Sequence, residues 1–142
     1  LYWSDALLMI LDMPSEYTLY LKDKINAQKE AECKLKKFVN GRKVVIFGCG
    51  AYGSKVFTLM LRLEIEVVAF CDNDIKKHRT FEKGVPVYSV KQAIEKYSQA
   101  VYLVANKYYS DEMMQQLQTF GVECKNIINI ERGIDNDFTG YN

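Results

Sequence analysis

The sequence predicts an α/β fold, a parallel sheet wound on both faces by helices. Three observations carry this. From Lys43 onward, short apolar runs alternate with segments of helical character, the pattern of successive strand–helix–strand units. The runs are continuously apolar, as in strands buried on both faces. The first run is followed at once by a glycine-rich turn.

Taken in order, Leu1 to Met13 reads as a short apolar helix stopped by Pro14, with Ser15 as the cap of the next. Tyr17 to Val39 reads as one long helix. Its apolar face is sparse: Tyr17, Leu21, Ala31, Leu35 and Phe38 keep helical spacing, but Lys24 and Gln28 interrupt it. Between Lys22 and Lys43, eight basic and three acidic residues leave a local excess of +5. Such a face is either solvated on its own domain or pairs with another chain. Asn40-Gly41 stops the helix. Lys43 to Gly48 is a buried strand, Ala51 to Leu63 a helix and Ile65 to Cys71 a second strand. Asp72 to Gly84 reads as a polar loop. Val85 to Tyr88 is a short or edge strand, because Pro86 lacks a donor. Ser89 caps a helix to about Tyr97, and Ala100 to Ala105 is another buried strand. Ser110 or Asp111 caps a helix to about Phe120, closed by Gly121. Cys124 to Ile130 is the last strand, and the tail from Gly133 reads as loose. Residues 1–40 thus form a helical extension and residues 41–142 a doubly wound, Rossmann-like domain of order 3-2-1-4-5.

Composition narrows the function classes. Among 142 residues, 49% are apolar, 26% charged and 2 are Pro, which excludes a disordered or low-complexity chain. The net charge of +1 gives no global sign of a nucleic-acid partner. The apolar run Ala6 to Leu11 falls far short of the ~20 residues that span a bilayer, and no signal-peptide pattern precedes it. The first residue is Leu1 rather than Met, which suggests a piece of a longer protein. Cys33, Cys49, Cys71 and Cys124 form no CxxC motif, and His78 is the only histidine. No metal site is expected from them. Free thiols and a cytoplasmic setting are.

Gly48-Cys-Gly50-Ala-Tyr-Gly53 fits GxGxxG directly after a strand and before a helix. Gly48 permits the turn, Gly50 leaves room for a pyrophosphate, and Gly53 lets the helix lie close on the sheet. The helix amides then face an anion. Asp72 follows Gly53 by 19 residues and ends the second strand, where a carboxylate accepts hydrogen bonds from a ribose diol and repels a 2′-phosphate.

The run VVIFGCGAYG (Val44 to Gly53), then VVAFCDNDIKK (Val67 to Lys77), then Gly84-Val-Pro-Val-Tyr88 resembles a bacterial group of small Rossmann domains. Such domains look like the N-terminal parts of nucleotide-sugar epimerase or dehydratase proteins of polysaccharide synthesis, and they resemble the nucleotide-sugar-binding domains of sugar acetyltransferases and modules attached to FkbM-type methyltransferases and glycosyltransferases. Cys49, where Ala is common, and Ile75, where Pro is frequent, depart from the pattern. The resemblance covers roughly residues 43–130 and implies a bound nucleotide: NAD, or alternatively a nucleotide-sugar. The expected contacts are Gly48, Gly50, Ala51, Tyr52, Gly53, Asp72, Asn73 and Asn106.

No catalytic constellation is visible. Tyr20 and Lys24 have a Tyr-xxx-Lys spacing but precede the first strand. Asn106 to Tyr109 follow the fourth long strand, where they either contact the distal half of a ligand or form a polar loop whose rings pack over the sheet. Asp72, Asn73 and Asp74 are adjacent and diverge, which suits capping better than a metal cage. His78 reads as solvated, and Tyr52 as lying over a base or packed on its helix. Cys49 and Cys71 are expected at neighbouring strand ends. The chain is too short for a complete methyltransferase fold. The expected function is the nucleotide-binding module of a sugar-modifying enzyme in surface polysaccharide biosynthesis. The alternative is a non-catalytic regulatory or interaction domain with a vestigial site. On either reading, residues 1–40 are expected to mediate a homodimer or to contact a further domain.

Overall fold

The computed structural model describes residues 15–130. The expected helix from Leu1 to Met13, the apolar side chains Leu7, Leu8, Ile10 and Leu11 on it, and the tail from Gly133 lie outside the described residues. Helix α1 spans Ser15–Val39, with Lys36 and Lys37 in its last turn facing the negative end of its dipole. Ser15 is already helical. Asn40 (φ 49°) and Gly41 (φ 74°) turn the chain out in the left-handed region. There follow β1 (Val44–Phe47), α2 (Ala51–Arg62), β2 (Val67–Cys71), β3 (Phe81–Glu82), β4 (Val85–Tyr88), α3 (Val90–Lys96), β5 (Val101–Val104), α4 (Ser110–Thr119) and β6 (Ile127–Asn129).

The sheet has six strands in the order β3-β4-β2-β1-β5-β6. The five parallel strands β4-β2-β1-β5-β6 follow the predicted 3-2-1-4-5 order. The difference is β3, which pairs antiparallel with β4, Phe81 opposite Pro86. The sequence reads this stretch as loop. Its two-residue turn is Lys83-Gly84, both at positive φ (53° and 83°), the backbone of a tight hairpin turn. Lysine rarely takes that conformation, so no turn signal is legible. The final strand also starts later than expected, because Cys124–Asn126 forms a 3₁₀ turn.

Alternation along the strands divides the core. Val44 and Ile46 face one cluster with Leu35, Val39, Val56, Phe57, Met60 and Phe70. Val45 and Phe47 face the other, with Val90, Ala93, Tyr102, Met113 and Leu117. Helices α1 and α2 therefore cover one face, α3 and α4 the opposite one. Phe57 stacks on Phe70 at 5.7 Å. Only the C-terminal half of α1 joins this core: Ala31, Leu35 and Val39 are buried, whereas Leu19 and Tyr20 are exposed. Arg62 of α2 donates to both oxygens of buried Glu32 (2.8 and 2.7 Å). Arg42 ties the end of α1 to Asn126 (2.6 Å) and to the Phe38 carbonyl (2.6 Å). The expected cap of α3 is present as a reciprocal Ser89–Gln92 box. At α4 the cap position is Tyr109, one residue before Ser110 and two before Asp111, the two expected caps. The crossover after β1 runs to one face and that after β5 to the other, so a crevice opens between their carboxyl ends.

Candidate functional site

The loop between β1 and α2 is shaped by close approach at two glycines and open space at a third. Gly48 has φ 118°, and a Cβ there would lie 2.6 Å from the Ala105 carbonyl oxygen. A Cβ on Gly53 would lie 1.9 Å from the Gly48 carbonyl oxygen. These two glycines are packing requirements. Gly50 has an ordinary extended backbone, and a Cβ there meets nothing within 4 Å. It faces the crevice. The first amides of α2, from Ala51 on, precede the first intrahelical bond, Ser54 N–H to the Gly50 carbonyl (3.0 Å). Amides so placed favour an anion.

Asp72, directly after β2, reaches across to this loop. Its Oδ2 accepts from the Cys49 amide (2.7 Å) and its Oδ1 from the Asp74 amide (2.8 Å). Lys77 Nζ donates to the Cys49 carbonyl (2.7 Å) and lies 4.0 Å from Asp72 Oδ2. The Cys49 backbone is thus held at its N–H by the acid and at its C=O by the base. His78 Nε2 lies 2.7 Å from the Asp72 carbonyl oxygen, which places the ring proton on Nε2 and gives this histidine a loop-fixing contact rather than a purely solvated one.

The crevice is a cleft of ≈ 470 Å³, walled by Gly48 to Tyr52, Asp72, Asp74, Lys77 and the loop Ala105 to Tyr108. Hollows of ≈ 450 Å³ along α1 and ≈ 420 Å³ at the opposite end of the strands have similar size. Neither is walled by the glycine loop or the start of α2, so chemistry rather than volume singles out the cleft. Of the expected set, Gly48, Gly50, Ala51, Tyr52, Asp72 and Asn106 line it. Gly53 lies behind it as a packing residue. Asn73 is turned away, exchanging two 2.9 Å hydrogen bonds with Gln116 of α4. Asn106 Oδ1 accepts from the Tyr108 and Tyr109 amides (2.8 and 2.9 Å), so it shapes its own loop. Tyr108 and Tyr109 are exposed and do not pack over the sheet. Tyr52 donates to the Ile130 carbonyl at 3.3 Å. Lys77 lines the cleft outside the expected contacts, and Lys107 lines it as part of the Asn106 to Tyr109 stretch expected either to contact the distal half of a ligand or to form a loop. The signal for the first was present, a lysine in the DNDIKK segment after the acid. For the second it was a cation between Asn106 and two tyrosines.

Burial pushes the Cys49 thiol up, reinforced by the Glu82 carboxylate and partly opposed by Lys77. Burial raises the Cys71 thiol further. Both stay protonated near neutrality. Glu82 accepts from Ser54 Oγ at 3.0 Å, fastening the β3 edge to the first turn of α2. Among the described residues no cluster of three His, Cys, Asp or Glu could hold a metal ion, and no helix is long and apolar enough to cross a membrane.

No curated protein matches the sequence. Solved structures do. One is UDP-D-quinovosamine 4-dehydrogenase from Vibrio fischeri, at 28% identity over 61% of this chain and 75% of that one, with a TM-score of 0.49. Another is RSP, a Rex-family repressor. In complex with β-NADH it matches at 14% identity and TM-score 0.50, over 77% of this chain and 53% of that one. With β-NAD⁺ and operator DNA it matches at 13% identity and TM-score 0.48, over 72% and 48%. The chain therefore spans about half the length of the repressor chains. The likeness to the NADH complex is one of fold, and the parallel order β4-β2-β1-β5-β6 makes that fold Rossmann-like. The families to which the motif run was likened are not the one whose model matches. That model covers residues 40–128, from the end of α1 into β6, and includes the glycine loop and Asp72. The chain belongs to the C2185-like, N-terminal family.

Proposed function

We propose that this domain is a nucleotide-binding module, taking NAD or a nucleotide-sugar, of a cytoplasmic sugar-modifying enzyme of surface polysaccharide biosynthesis. The nucleotide part rests on one observation: the side-chain-free mouth at Gly50 lies beside both the start of α2 and the Asp72 carboxylate. That pairing suits a diphosphate joined to a ribose diol. The polysaccharide part rests on the motif resemblance at Val44 to Tyr88. In this reading the domain supplies nucleotide binding and a further domain supplies the reaction. Calorimetry with NAD⁺ and a uridine nucleotide-sugar tests the proposal. Binding to the wild type that is lost in Gly50→Val and weakened in Asp72→Ala supports it. Unchanged affinity in Gly50→Val overturns it.

A second reading, a non-catalytic interaction domain with a vestigial site, draws on the Asp72 network, which satisfies itself through Cys49, Asp74 and Lys77. Mass spectrometry of the protein purified under native conditions separates the two. A retained nucleotide favours the first.

A further inference from the structure

We propose that the cleft is built for a single nucleoside diphosphate, bare or esterified to one sugar, and that Tyr52 closes the half of the crevice that a dinucleotide's second nucleoside would need. This rests on the nucleotide reading above and narrows its ligand.

In an open parallel sheet a dinucleotide straddles the switch point. Its pyrophosphate lies over the loop after the first strand, one nucleoside lies toward the second strand, and the other lies on the far side. Here the two sides differ. Toward β2 the cleft is walled by the charged side chains Asp72, Asp74 and Lys77. On the far side the Tyr52 ring is partly buried against the cluster that contains Ile128 and Ile130. Its hydroxyl donates to the Ile130 carbonyl at 3.3 Å, just past β6. The Lys107 ammonium lies 5.8 Å from the ring centroid, within cation–π range. The ring therefore bridges the start of α2 and the end of β6. The walls of the cleft agree with this. Among the described residues they come from the loops after β1, β2 and β5, and none comes from β6. A second nucleoside would have to part Tyr52 from Ile130 and displace Lys107. A nucleoside diphosphate needs neither, and Lys107 brings a cation to its phosphate end.

Calorimetry of the full chain against ADP, UDP and NAD⁺ tests this. The better of the two diphosphates should bind at least as tightly as NAD⁺. Tyr52→Ala should shift the balance toward NAD⁺ by about tenfold. If NAD⁺ binds the wild type more than about threefold tighter than both diphosphates, the inference falls and the nucleotide reading stands. If none of the three binds and a uridine nucleotide-sugar does not bind either, both fall. An unchanged ratio in a folded Tyr52→Ala protein overturns the role given to Tyr52. The wild-type comparison needs no substitution, so a misfolded variant leaves the test intact.

Discussion

A methyl group at Gly53 would sit 1.9 Å from a backbone oxygen, whereas one at Gly50 meets nothing within 4 Å. The same motif thus contains a glycine that packing requires, Gly53, and one, Gly50, that on the proposed function keeps the cleft open to a nucleotide. Gly53→Ala should cost about 3 kcal/mol or more, read as a lower melting temperature or loss of soluble protein. Gly50→Val should melt like the wild type, because its extended backbone suits a β-branched residue, and should lose nucleotide binding. At Asp72 the loss of charge-assisted hydrogen bonds corresponds to ~1.5–3 kcal/mol, roughly ten- to a hundredfold in affinity. Asp72→Ala should lose more than Asp72→Asn, which keeps an acceptor for the Cys49 amide. The thiols give a test that needs no ligand. Cys33 and Cys124 are exposed, while Cys49 and Cys71 are buried with raised thiol pKa values. Alkylation at neutral pH should modify the first pair quickly and the second slowly, with the Cys49 rate rising as the pH is raised, as thiolate is the reactive form. Rapid labelling of Cys49 at neutral pH would show that its loop opens. The acid and the glycines were legible from spacing alone. The role of Lys77 was not, although the DNDIKK segment marks the residue, because that role depends on a carbonyl 28 positions away in sequence that the fold brings to 2.7 Å.

The long helix α1 shows what an interrupted apolar stripe means. Of its expected apolar positions, Ala31 and Leu35 are buried and Phe38 is half-buried, with Val39 buried beside it, whereas the interruption at Lys24 lies in the half that carries exposed Leu19 and Tyr20. The C-terminal half of α1 is thereby part of the core. A chain starting at Asn40 should aggregate or melt far lower than the full chain, and Leu35→Ala alone should cost about 2–5 kcal/mol. Light scattering together with thermal unfolding reads both. A stable, monomeric short chain would show that the contact carries little. The Glu32–Arg62 pair supplies a second check. Arg62→Met leaves buried Glu32 without its cation and should cost about 1–3 kcal/mol. Adding Glu32→Gln should recover much of that loss. The exposed half, with Leu19 and Tyr20, keeps the self-association idea testable, since light scattering of the full chain reports a dimer directly. The extra strand β3 was not legible at this scale, because a Lys-Gly turn with two positive φ values carries none of the usual Asn-Gly or Asp-Gly signal.

For the molecule as a whole, a ligand that binds only the folded state must raise its melting temperature. At about a hundredfold excess over Kd the gain is about 2.7 kcal/mol, or roughly 5–11 °C for a chain of this size, at about 2–4 °C per kcal/mol. A thermal-shift series with ADP, UDP and NAD⁺ should show this for the wild type and not for Gly50→Val. Absence of any shift would match the vestigial reading. The sequence by itself determined the Rossmann-like class, the order of the five parallel strands, the glycine loop and its acid. All of these follow from local rules: apolar runs long enough to be buried, glycines where a turn or close approach excludes a side chain, and a carboxylate at a strand end. Only the tertiary structure decided which face α1 covers, that Asn73 turns to Gln116, that Lys77 and Asp72 hold the Cys49 backbone between them, and that Tyr52 reaches Ile130. Each of these joins groups far apart in the chain. Whether such groups meet is set by packing across elements, which periodicity and spacing along one strand or helix do not encode.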